Sequence, residues 1–171
     1  MTMNQGPGCP DIFKLTPDEF SKPWAISVDG LFVCLKPDKW SDNSIHLLTT
    51  TQADHVKAHG GKLYEWHVVQ RVVHNTVCFG FRNAYSGKWL GVNENGDVTC
   101  TASELSDWET WRTAGYINRD GMKFFYLSVL FKGNDRYLIQ AQAGDELPFL
   151  KLADSDEPDP AYMVLFPPLF V

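Results

Sequence analysis

Apolar residues along this chain come in short runs, most of them alternating with polar or small residues, and turn-forming residues separate the runs. Val77, Phe79 and Phe81 alternate within Val77–Asn83, the period-two pattern of a half-buried strand. Ala84–Gly87 then reads as a turn and Lys88–Val92 as the return strand. Asn93–Asp97, with its Asn95-Gly96 pair, reads as a tight hairpin loop. Val98–Thr101 and Trp108–Thr113 complete a set of four strands. The same order recurs downstream at Phe124–Val129, Arg136–Gln140, Phe149–Ala153 and Ala161–Phe166. It recurs upstream, more loosely, at Trp24–Val28, Leu31–Leu35, Ile45–Thr49 and Tyr64–Val69. Helical signals are confined to Thr16–Glu19, a threonine cap followed by proline and two acids, and to Gln52–His59, which Gly60-Gly61 would stop.

Phe32, Trp89 and Tyr137 open equivalent strands of the three sets. A unit recurring roughly every 50 residues predicts several copies of one supersecondary element around a shared core. Twelve short antiparallel strands with no room for crossover helices predict an all-β, closed architecture, because closure removes exposed sheet edges. The expected organisation is an N-terminal arm over 1–19 and a single domain over 20–171, with repeats at about 20–75, 76–121 and 122–171. Two insertions, Pro37–Ser44 and Gln52–Lys62, interrupt the first repeat.

At 171 residues the chain can bury one substantial core. A formal net charge of −6 without a Lys/Arg cluster argues against nucleic acid or an anionic membrane as partner. No apolar run is long enough to span a bilayer as a helix, and the first thirty residues show no signal-peptide core. The four cysteines, Cys9, Cys34, Cys78 and Cys100, are scattered without a Cys-x-x-Cys pair, which predicts free buried thiols. These features together predict a cytoplasmic protein.

The stretch Asn83-Ala-Tyr-Ser-Gly-Lys-Trp-Leu-Gly-Val, the Asn95-Gly96-Asp97 turn, and Leu105-Ser-Asp-Trp-Glu-Thr-Trp resemble the repeat of fascin-like β-trefoil proteins. The match is partial in the third repeat, at Asp135-Arg-Tyr-Leu and Tyr162-Met-Val, and weaker in the first, at Tyr64-Glu-Trp. The resemblance implies a β-trefoil, with six strands as a short barrel and six capping one end. It implies core positions for Trp66, Trp89, Leu90, Trp111, Tyr137, Leu138 and Met163. One trefoil lacks the second site that actin bundling needs, and the chain lacks the repeated Gln-x-Trp of ricin-type lectin trefoils.

Catalytic signatures are missing: there is no Gly-x-Ser-x-Gly elbow and no His-Glu-x-x-His, and the Gly80–Trp89 stretch fails the phosphate-loop spacing. The first functional expectation is a non-catalytic binding module for a glycan, another small molecule or a protein partner. Trp40, Asp42, Asn43 and His59 are its candidate contacts, because an aromatic flanked by Asp and Asn can stack on a sugar and bond its hydroxyls. The alternative is a small-molecule cyclase or isomerase of secondary metabolism, with an enclosed apolar pocket and His46, His55, His67 or His74 moving protons. The two separate on one feature: an enclosed apolar chamber for the enzyme, a solid barrel with shallow surface sites for the binder. No cofactor and no metal site is expected, although Asp154–Asp159 offers oxygen ligands that calcium would suit.

Overall fold

The computed structural model describes residues 10–35, 45–48, 62–142, 144–145, 148–154 and 159–167. Within them lie twelve strands: β1 (Pro23–Val28), β2 (Leu31–Leu35), β3 (Ile45–Leu48), β4 (Glu65–Val73), β5 (Thr76–Asn83) and β6 (Trp89–Val92) in the first half. The second half carries β7 (Val98–Ala102), β8 (Trp111–Arg119), β9 (Met122–Phe131), β10 (Asn134–Ala141), β11 (Phe149–Leu152) and β12 (Met163–Phe166). Every pairing between them is antiparallel.

The pairings close a circuit, β1–β4–β5–β8–β9–β12 and back to β1, so the protein is an all-β closed barrel. Three further hairpins extend from it: β2–β3 beside β1, β6–β7 beside β5, and β10–β11 beside β9. They are not equivalent. β3 bonds β11 through the His46–Phe149 pair, whereas among the described residues β7 bonds only β6 and ends the sheet. The expected three-way equivalence is therefore incomplete, and the broader description, a closed all-β barrel, is the one that stands.

Two-residue turns set the register of the long strands. Asp29-Gly30, Asp120-Gly121 and Lys132-Gly133 carry positive φ at both positions (49° and 78°, 52° and 77°, 49° and 85°). That twist matches the right-handed twist of the flanking strands, and Gly at the second position removes the Cβ conflict. The β4–β5 turn does the same without glycine, with His74 at 48° and Asn75 at 63°.

The interior follows strand alternation. On β9, Phe125, Leu127, Val129 and Phe131 point inward and are buried, while Tyr126 and Leu130 face out. Trp66, Trp111, Tyr64, Phe79 and Phe81 fill the rest of the barrel, each at most 1% exposed. The Trp66 indole donates to the Val33 carbonyl (3.0 Å) and the Trp111 indole to the Leu90 carbonyl (2.9 Å), each bond tying a barrel strand to a hairpin strand. Met163 of β12 is also buried, and the Ala161 backbone N–H donates to the Leu138 carbonyl (2.8 Å). Of the expected core set, Trp66, Leu90, Trp111, Leu138 and Met163 are buried. Trp89 and Tyr137 are only half-buried, which corrects the expectation for those two. Trp89 lies across Gly80 on the outer side of β5, where a side chain at Gly80 would meet its ring.

The segment preceding β1 packs on the barrel. A short helix, α1 (Pro17–Phe20), is closed by a reciprocal Thr16–Glu19 capping box. Ile12 is buried in the core, Asp11 pairs with Lys123 (3.2 Å), and the Trp24 indole donates to the Glu19 carbonyl (2.9 Å).

Candidate functional site

One register row crosses five strands on the outer face: Arg71 of β4, Cys78 of β5, Arg112 of β8, Ser128 of β9 and Tyr137 of β10. Residues directly opposite each other in adjacent strands project to the same side of the sheet. Local chemistry fixes the row's flanks. Ser106 and Glu109 close a one-turn 3-10 segment, Asp107–Glu109, which turns the chain before β8 begins. The Thr110 hydroxyl donates to the Ser106 carbonyl (2.7 Å), which leaves its oxygen to accept from Arg71 Nη1 (2.8 Å). Arg112 Nη1 lies 3.4 and 3.5 Å from the two Asp135 carboxylate oxygens. These distances exceed the roughly 2.7–2.9 Å of a strong charge-assisted bond.

Two open clefts border Arg112. One, of about 290 Å³, is lined by Arg112, Thr113, Tyr126, Ser128, Asp135 and Tyr137, with Thr76 and Val77 at its edge. Its floor is aromatic: the Tyr126 ring meets Tyr137 edge-on at 6.2 Å and Tyr162 at 5.8 Å. The other, of about 310 Å³, has Cys78 and Thr110 at its base, Trp108, Leu130 and Val73 as apolar walls, and Arg112, Lys132, His74 and Asp107 among its polar groups. Burial pushes the Cys78 thiol pKa up, while Arg112 and then Arg71 pull it back down.

The candidate histidines do not converge. His46, on β3, lines a separate cleft of about 330 Å³ with Asn93, Asp97, Thr99 and Lys151. His67 sits opposite Arg82 across β4 and β5; burial, and then that guanidinium, lower its pKa. His74 stands exposed at the β4–β5 turn. His55, and the proposed contacts Trp40, Asp42, Asn43 and His59, lie outside the described residues. Asp154, at the start of the acidic loop, is bonded to Arg136 (3.1 Å), and residues 155–158 lie outside the described set. Among the described residues no three potential ligands converge on a metal position, and no helix is long and apolar enough to cross a membrane.

Arg71, Arg112, Asp135, Tyr126 and Trp108 were not candidates from sequence. Their grouping depends on strand pairing between residues far apart in the chain, which local patterns do not encode. Alternation along β9 was the one available signal, since it sends Tyr126 and Leu130 outward.

No protein-family model matches the chain, and no curated protein matches it. Solved structures do. A chain of the cytolethal distending toxin of Actinobacillus actinomycetemcomitans aligns with a TM-score of 0.66 at 14% identity, covering 91% of this chain and 97% of that one. A chain of the Haemophilus ducreyi cytolethal distending toxin aligns with a TM-score of 0.60 at 13% identity, covering 92% and 90%. At such identities the likeness concerns the fold. These findings overturn the fascin-like β-trefoil assignment. The residues that suggested it have a local explanation. Asn83 Oδ1 accepts from the N–H groups of Tyr85 and Ser86, and Asn93 Oδ1 from those of Asn95 and Asp97. Ser106–Glu109 is a capping box. Such side-chain turns and caps serve hairpins in any all-β chain.

Proposed function

We propose that the protein is a non-catalytic binding module whose ligand surface is the outer face of β5, β8, β9 and β10. The observation that carries this reading is the aromatic cleft floored by Tyr126 and Tyr137 beside the loosely held Arg112–Asp135 pair. A tyrosine ring offers an apolar face for the C–H side of a pyranose, and the neighbouring charged fork and carboxylate suit its hydroxyls. A saccharide is thus the ligand class that the face suits best. The filled barrel supports the same reading. A cyclase or isomerase needs an enclosed apolar chamber, and among the described residues the clefts open to solvent while the interior is occupied by Trp66, Trp111, Tyr64, Phe79 and Phe81. The toxin structures contribute no residue-level argument at 13–14% identity, so the reading rests on the face itself.

A glycan array followed by calorimetry tests it. The expected result is binding to a defined saccharide set, weakened at least tenfold in Tyr137→Ala with the thermal midpoint little changed. An array without signal, or binding indifferent to Tyr126→Ala and Tyr137→Ala, overturns the proposal.

A further inference from the structure

We infer that the cleft next to the tyrosine floor is a subsite for an anionic ester group, a sulfate or phosphate, carried by the ligand of that face. This rests on the saccharide reading above.

The argument begins with the register row. Arg71 and Arg112 stand two strands apart on one face, with Cys78 between them. Adjacent strands are about 4.8 Å apart, so the two backbones are separated by roughly 10 Å. Arg71 crosses part of that span toward β8, where its Nη1 donates to the hydroxyl of Thr110, two residues before Arg112 and itself a lining residue of the cleft. Against the burial that raises it, Arg112, and after it Arg71, pull the Cys78 thiol pKa down, the direction expected of nearby positive charge. Lys132 adds a third cation at the lip of the same cleft.

This grouping runs against the rest of the molecule. The chain has 15 Lys and Arg against 21 Asp and Glu, yet Arg112 and Lys132 line this cleft and Arg71 bonds its Thr110, with Asp107 and Asp135 as the acidic neighbours. Among the described residues neither arginine makes a strong ion pair. Arg71 is oriented by a neutral hydroxyl, and that bond uses one donor of its five-donor fork. Arg112 holds Asp135 only at 3.4 Å, with the two side chains 39% and 56% exposed. An oxyanion entering the cleft would therefore displace a weak partner, and a planar fork binds tetrahedral oxyanions in bidentate fashion. The walls fit the other half of such a ligand. Trp108 and Leu130 supply apolar surface beside the cations, and Arg112 lines both this cleft and the one floored by the tyrosines. At about 310 Å³ it suits a single substituted ring rather than a long chain.

Calorimetry on the full chain decides it, with three probes: inorganic sulfate, a sulfated disaccharide and its unsulfated counterpart. The variants are Arg71→Gln, Arg112→Gln, Arg71→Lys, and Lys22→Gln as a charge-matched control away from the face. The expected result is at least tenfold tighter binding of the sulfated disaccharide than of the unsulfated one. Arg71→Gln and Arg112→Gln should each remove that advantage, Arg71→Lys part of it, and Lys22→Gln less than twofold. Thermal midpoints identify a variant that has not folded, and Arg71→Lys, which keeps the charge and the stem, then carries the comparison. Equal binding of the two disaccharides, or an equal loss in Lys22→Gln, overturns the subsite and leaves the saccharide reading standing. Sulfate binding that depends on the arginines, with neither disaccharide bound, supports the subsite's chemistry and overturns the saccharide reading. No binding of any probe overturns both.

Discussion

Two indole hydrogen bonds tie the barrel strands to the hairpins. Trp66 and Trp111 are buried, and each donates to a carbonyl of the strand opening a hairpin, Val33 or Leu90. Replacing Trp111 with Phe keeps most of the apolar volume and strips the donor from a buried acceptor. That should cost about 1–3 kcal/mol in denaturant unfolding. Met163, buried on β12, offers no such donor, and Met163→Leu should cost less than about 1.5 kcal/mol, as volume-conserving core exchanges do. Equal losses in the two variants would show that the indole bond is not what holds the hairpin. The buried thiols make a second case at this scale. Cys34 is pushed up to about 12 and Cys100 to about 11, in both cases chiefly by burial. The native chain should therefore leave Cys34 and Cys100 unmodified by a disulfide reagent at pH 8, with both reacting in denaturant. The sign of the pH effect follows. An unfolded thiol ionises near about 8.5, so above that pH the unfolded chain binds fewer protons than the native one. The thiol contribution to stability is complete below that value and is lost as pH rises toward about 11 and about 12. Denaturant midpoints measured from pH 8 to pH 10.5 should fall, and fall less steeply in the Cys34→Ala, Cys100→Ala double variant.

At the level of elements, the β4–β5 hairpin is where local chemistry and structure disagree most. Its turn, His74-Asn75, holds two non-glycine residues at positive φ, where the other two-residue turns have Gly second. Asn75→Gly should raise stability by about 0.5–1 kcal/mol, by relieving left-handed strain in a turn type that favours glycine. At this chain length that is roughly 1–4 °C in Tm. A lowered Tm would mean that the Asn75 side chain contributes something the backbone argument omits. The same hairpin shows what was legible in the sequence. Most of β5 was readable, as Val77–Asn83, because Val77, Phe79 and Phe81 alternate, and Leu31–Leu35 because its turn and apolar run are adjacent. The extension of β4 to Val73 was not, since Gln70 and Arg71 break the apolar pattern where the hairpin leaves the barrel. The strand expected at Trp108–Thr113 starts instead at Trp111 and runs to Arg119. The missed signal there was Ser106-x-x-Glu109, a capping box that turns the chain before the strand begins. The candidate site was not legible in the sequence: Tyr137 reads there as core, and Arg71, Arg112 and Tyr137 are brought onto one face by pairings that no short window contains.

For the molecule as a whole, closure is the decisive property. β12 pairs with β1 along Ala25–Val28 and touches β9 at the Met163–Phe125 pair, so the last strand joins two parts of the barrel far apart in the chain. Met163, Val164 and Leu165 are each no more than 3% exposed there. Without β12, β1 and β9 would present unpaired edges and the core would open beside Phe125, while β4 and β8 would still close the other side. Two outcomes are then distinguishable. If the four-strand repeats were independently stable, a chain ending at Tyr162 would keep a folded remainder with a broadened transition. If the repeats share one core, as the continuous cluster from Ile26 through Trp66 and Trp111 to Leu165 indicates, that chain should lose its cooperative transition altogether. We expect the second outcome, read as collapse of near-ultraviolet dichroism and of amide dispersion in the truncated chain. Adding a synthetic peptide of residues 163–171 should not restore them at micromolar concentration, because the closure that the intact chain makes within one molecule would then carry the entropy of association. A sharp unfolding transition in the truncated chain would refute the shared core.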